Sequence, residues 1–286
     1  MSHFTVMVIG AEPEKQLAPY DENLEMDRYV SRTKEQLIAD VREEIENMKN
    51  GKYAEYLADP KKYENACTNP NHITFLQNEF PKRLEWSEQE MYNYAIRWVE
   101  PENITPDGGE YSTMNPKSKW DWYSLGGRWT GMLKLKDHTK GIVGKPGIMT
   151  NPAEPGWVDQ ALKKDIDFEG MLQSSFEEAS KRYDDFEREY KKGKLGSFDA
   201  HWEYNVENKG TKDNFIPETR EEHLKRSVGF STFAVVKDGE WYERGSMGWW
   251  GCVSDEKPEG EWDQQFKQLL QSIPDDTLIS IFDCHI

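Results

Sequence analysis

The stretch "FSTFAVVKDGEWYERG", Phe230 to Gly245, carries the plainest local instruction in the chain. Asp238-Gly239 sits between two runs rich in β-branched and aromatic residues, and that dipeptide tolerates the positive φ a two-residue hairpin turn demands. An antiparallel hairpin is therefore predicted here. Outward from it, "HFTVMVI" (3–9), closed by Gly10, and "TLISIFDCHI" (277–286) are apolar runs of strand length, and both are predicted as buried strands. In "KWDWYSLGGRW" (119–129) and the alternating residues up to Lys136, two strands joined by a turn at Gly126-Gly127 are expected, with Trp120 and Trp122 on one face.

Helical spacing fills the intervals. In "TKEQLIADVREEIENMKNG" (33–51), Thr33 and Gln36 can form a capping box, and Leu37, Ile38, Val41, Ile45 and Met48 make one apolar stripe. "SEQEMYNYAIRWVEP" (87–101) repeats the pattern with Ser87 and Glu90, then stops at Pro101. Short helical turns are expected from Tyr53 to Phe80. A charged helix follows Asp167, with Phe168, Leu172, Phe176, Ala179, Tyr183 and Phe186 at helical spacing, and "EWDQQFKQLLQSIP" (261–274) packs through Trp262, Phe266, Leu269 and Leu270. The expected class is α+β, with a largely antiparallel sheet, helices, and a helical insertion after the first strand. Residues 1–30 and 101–286 form the expected core, with a long loop at 137–160 and a polar irregular segment at 191–226, and residues 31–100 form the insertion.

The chain has 286 residues and a formal net charge of -17. Nucleic-acid binding draws on Lys and Arg neutralising phosphates, so direct contact with DNA or RNA is not expected, whereas partners with basic surfaces are favoured. Eleven tryptophans supply large apolar areas that argue for a folded protein over a disordered one. No apolar run reaches the roughly 20 residues of a membrane span. The start "MSHFTVMVIG" lacks a basic region and continues as a strand, so no signal peptide is expected. Three widely spaced cysteines fit a reduced, cytosolic setting.

Candidate chemistry is sparse. The histidines show no metal-binding spacing, and the pair His201 and Glu203 is a weak exception, so no metal and no cofactor are expected. Cys284 and His285 are neighbours on a strand and must point to opposite faces, which weakens a Cys–His nucleophile. A buried cysteine beside an exposed histidine is the simpler expectation. Asp121, flanked by Trp120 and Trp122, is the single acid that stands out. Around Gly126-Gly127, exposed amides and Arg128 could hold phosphate while Trp122 or Trp129 stacks on a base, although core packing or a protein interface explains the same residues. In "GSMGWWGC" (245–252), Trp249 and Trp250 point to opposite sides if the segment is extended. Interface or ligand candidates are thus Trp122, Arg128, Trp129, Trp249 and Trp250, with Cys284 as a candidate contact between subunits. An enzyme would need a metal or an acid–base pair, and neither is visible, so no catalytic residues are expected.

"MSHFTVMVIG", "QLAPYDEN", "DWYSLGGRW", "MGWWGCVSDEK" and "IPDDTLISIFDCHI" together resemble a widespread family of bacteriophage proteins. These blocks cover about half of the chain and leave residues 31–100 and 137–226 without a counterpart. Length, acidity and architecture are similar to phage inhibitors of the Gabija anti-phage system. That resemblance implies a non-enzymatic homo-oligomer in the host cytoplasm, which binds the host nuclease–helicase complex and blocks its binding or cleavage of DNA. The alternative is a sponge that sequesters a nucleotide immune signal in a pocket lined by Trp and Arg.

Overall fold

The computed structural model describes residues 2–136, 140–191 and 219–286. The chain divides into two compact units, Met1–Asn23 with Pro116–Ile286, and Leu24–Asn115.

The first unit is built on a seven-stranded sheet. Its strands are β1 (His3–Ile9), β2 (Trp122–Gly127), β3 (Lys145–Pro146), β4 (Gln160–Leu162), β5 (Ala234–Lys237), β6 (Glu240–Glu243) and β7 (Leu278–His285). The spatial order is β6-β5-β1-β7-β2-β3, and β4 shares one edge of β7 with β2. The α+β class holds, but the sheet is mixed, because β1 runs parallel to β5 and β2 parallel to β3. The chain-terminal strands β1 and β7 pair antiparallel along their whole length at its centre, from His3 opposite His285 to Ile9 opposite Ile279.

Both faces of the central strands are covered, which explains their near-continuous apolar sequences. Phe4, Val6, Val8, Phe282 and Cys284 pack on one side with Leu17, Tyr20 and Trp120. Met7, Ile9, Ile279 and Ile281 pack on the other with Trp262 and Phe266 from the helix Glu261–Gln271. Burying a side chain such as Phe266 or Phe282 contributes about 1.5–3 kcal/mol. The β5–β6 hairpin turns through Asp238 and Gly239, at φ 54° and 78°, as the dipeptide predicts.

The pair Gly126-Gly127 does not turn a hairpin. Both residues end β2 with positive φ, and Leu133–Lys134 pairs instead with Trp157–Val158. The expected loop 137–160 holds that strand and β3, with residues 137–139 outside the description. Of the expected irregular segment 191–226, Arg220–Ser227 is a helix capped by Thr219 and Glu222, and 192–218 lies outside the described residues. The helix Phe168–Lys191 buries Met171, Ala179 and Phe186, whereas Leu172 and Phe176 are exposed, so its inward stripe is rotated from the expected one.

The second unit contains the expected helices Lys34–Met48 and Glu88–Ala95, each opened by the complete capping box its sequence announces. Val41, Ile45 and Phe80 form its small core, ringed by Phe75, Trp86, Met91 and Tyr94. A strand pair, Tyr29–Arg32 with Glu110–Ser112, belongs to this unit, which thus takes in residues 24–30 and 101–115 as well as the expected insertion.

Candidate functional site

On the helix-covered face of the sheet, the apolar row stops at one end. Beyond Met7 and Ile281 the inward positions of β1 and β7 become Thr5, His3, Asp283 and His285. His3 and His285 are direct cross-strand partners, and their rings meet edge to face with centroids 4.8 Å apart.

Each imidazole is held by a carboxylate. His3 Nδ1 lies 2.8 Å from Asp283 Oδ1, and His285 Nδ1 lies 2.6 Å from Asp121 Oδ1. A carboxylate at Nδ1 keeps the proton on that nitrogen, so the neutral ring presents its lone pair at Nε2. The two side chains are largely buried and retain 15% and 12% of their exposure.

The carboxylates are themselves placed by backbone. The Asp283 side chain is 1% exposed, and its Oδ2 accepts the Arg128 N–H at 2.9 Å. Burying a carboxylate is costly unless it is hydrogen-bonded, and His3 and Arg128 N–H supply those bonds. Gly127 permits the approach, since a Cβ there would lie 2.3 Å from Asp283 Cβ. Gly126 does the same for Asp159, which is fully buried and accepts from Thr130 Oγ1 at 2.9 Å, Gly131 N at 2.5 Å and Gly144 N at 2.7 Å. The amides that the glycine-rich stretch offers to anions are thus occupied by the chain's own Asp283 and Asp159. The Arg128 amide is not a phosphate cradle.

Aromatic rings flank the pair. Trp122, opposite His285 in the β2–β7 register, is 51% exposed, and its ring lies 6.2 Å from that of His3. Trp120 and Trp122 do not share a face. Trp120 precedes the strand, is buried, and donates from Nε1 to the Leu17 carbonyl at 3.2 Å. Trp250 stands 80% exposed at φ 63° in a turn, so the segment is not extended and the condition for placing Trp249 and Trp250 on opposite sides is not met. The Trp249 side chain lies outside the described residues. Ser2 ties that turn to the same end of the sheet, donating from Oγ to Gly248 O and accepting from Gly251 N, both at 2.7 Å. Arg128 is exposed, and Trp129 is half-buried with its amide on Gly126 O at 3.1 Å. Trp122, Arg128 and Trp250 therefore gather around one end of β1 and β7.

Cys284 points to the opposite face and is completely buried, so it has no surface with which to meet another subunit. Burial, and after it the charge of Asp283, pushes its thiol well above the ordinary range. Among the described residues no group of three or more His, Cys, Asp or Glu is placed to hold a metal ion, and His201 and Glu203 fall outside them.

His285 is paired with Asp121 rather than simply exposed, and His3 and Asp283 were no candidates from sequence. The usable signal was parity: polar His3 and Thr5 face inward like Met7 and Ile9, as Asp283 and His285 do like Ile279 and Ile281. Comparisons with family models, with curated proteins and with solved structures return no match for this chain.

Proposed function

We propose that this chain is a phage-encoded inhibitor of a bacterial defence complex of the Gabija nuclease–helicase type. It acts in the host cytoplasm as a homo-oligomer, by direct binding that blocks DNA binding or cleavage. The observation that carries this reading is the placement of two exposed tryptophans, Trp122 and Trp250, at one end of the sheet of a chain with net charge -17. Tryptophan is enriched among interface anchors. A complex that cuts DNA presents basic surface to its substrate, which an acidic protein meets with complementary charge. Inhibition by this route requires no catalysis and no cofactor.

Light scattering of the purified chain, alone and with a reconstituted Gabija complex, tests the reading. The expected result is a multimer alone and a joint species whose population falls as salt rises. Absence of any joint species at low salt, with defence still blocked in cells, removes direct binding.

The nucleotide-sequestering alternative keeps one observation in its favour, the half-exposed Trp122 ring beside His3. A ligand that binds only the folded state raises the melting temperature, so thermal-shift measurements with nucleotide signals decide it. No shift with any of them discards the sponge.

A further inference from the structure

We infer that the two histidine–aspartate pairs form an acid–base site for cleavage of a ribonucleotide phosphodiester, an activity that stands apart from the proposed binding role. The inference rests on the geometry of four side chains. Two imidazoles meet edge to face on paired strands, each with Nδ1 fixed by its own carboxylate, so the lone pair of the neutral ring falls on Nε2. Replacing such buried polar pairs by apolar residues is often neutral or stabilising. Packing alone thus does not account for His3 beside Asp283, where the row of Met and Ile gives way to Thr5, Asp283 and the two histidines. Histidine is also the side chain whose two protonation states are both populated nearest neutral pH, and general acid–base catalysis needs one of each.

The substrate class follows from what surrounds the imidazoles. Trp122 offers a half-exposed ring 6.2 Å from His3, suited to stacking on a nucleobase. Two imidazoles suit a phosphodiester that carries its own nucleophile, the ribose 2′-hydroxyl. One neutral Nε2 takes the 2′-OH proton as the 2′-oxygen forms a bond to phosphorus. The bond from phosphorus to the 5′-oxygen breaks, and the neighbouring imidazolium gives its Nε2 proton to that oxygen. The products are a 2′,3′-cyclic phosphate and a 5′-hydroxyl end. The proton lost by one ring is matched by the proton gained by the other, and no oxidant, water or co-reactant is consumed. Asp121 and Asp283 act as positioning residues, through the tautomer and orientation of the rings.

The experiment uses the full chain with EDTA present and the dinucleotide UpA as probe, following the cyclic phosphate product by chromatography. The expected result is turnover that falls by about 100-fold or more in His3→Gln and in His285→Gln, purified identically, as general acid–base groups are worth. Asp121→Asn should lower kcat while KM is retained, and Trp122→Ala should raise KM. Wild-type turnover no greater than that of the double histidine variant overturns the inference. So does turnover that EDTA abolishes and a divalent cation restores. If the variants do not fold, the wild-type imidazole resonances decide. They should shift on titration with uridine 3′-monophosphate, and unmoved resonances sink the site. None of these readouts involves a host complex, so this site and the binding role fail or stand separately.

Discussion

Gly127 and Asp283 occupy a space that admits only one Cβ: a methyl on Gly127 would lie 2.3 Å from Asp283 Cβ, with the backbone already at φ 56°. Gly127→Ala is therefore expected to destabilise the fold by about 3 kcal/mol, from left-handed strain of about 1 and overpacking of about 2. It should also disturb Asp283, and with it the hydrogen bond that orients His3. Chemical denaturation measures the first effect, and the His3 ring resonances report the second. A variant as stable as wild type would mean that β2 can leave Asp283 without cost.

Asp159 makes a companion case on the neighbouring glycine. Its carboxylate satisfies Thr130 Oγ1, Gly131 N and Gly144 N where the polypeptide folds back beside β7. Asp159→Ala strands buried donors at about 1–3 kcal/mol each, so a loss of about 3 kcal/mol or more is expected. Asp159→Asn, which keeps one carbonyl acceptor, should lose less. Equal stability of the two variants would show that water replaces the carboxylate.

The contrast between legible and hidden features follows the range of the interactions. Thr33 with Gln36, Ser87 with Glu90 and Asp238 with Gly239 act within three residues, and each was readable. The apolar runs of β1 and β7 were readable for the same reason. That they pair with each other, and that β1 is parallel to β5, depends on contacts across nearly the whole chain. Gly126-Gly127 misled because glycine serves equally a turn that needs positive φ and a backbone on which a carboxylate leaves no room for a Cβ. Asp121 stood out through its tryptophan neighbours, but its partner His285 becomes visible only once β2 lies on β7.

Exposed and buried tryptophans of the same motif should separate binding from stability. Trp122→Ala and Trp250→Ala remove rings that are half or more exposed, and their stability should stay within about 0.5 kcal/mol of wild type. Trp120→Ala removes a buried ring and the bond to Leu17 O, and should cost about 3–5 kcal/mol. Under the proposed function, the two surface variants lose the joint species with the defence complex while melting normally. If both retain it, the contact surface lies elsewhere.

Cys284 gives the fold an alkaline limit. Its thiol is buried in the apolar cluster that includes Phe4, Trp120 and Phe282, and desolvation, with the charge of Asp283 added, raises its pKa well above the ordinary value. In the unfolded chain a thiol ionises near about pH 8.5. Above that value the folded state holds a proton that the unfolded state has lost, so stability present in full below about pH 8.5 declines as pH rises. One proton corresponds to about 1.4 kcal/mol per pH unit. Tyr20 and Tyr123, whose pKa values burial also raises, add the same sign only near about pH 10 and above. Between about pH 8.5 and 10 the slope therefore belongs mainly to Cys284. Denaturant unfolding across this interval should show a steeper decline for wild type than for Cys284→Ala, which is less stable at neutral pH but lacks the ionising group. A thiol reagent should meanwhile label exposed Cys252 in the native protein and reach Cys284 only on unfolding. Parallel slopes, or native labelling of Cys284, would mean that this side of the sheet opens to water.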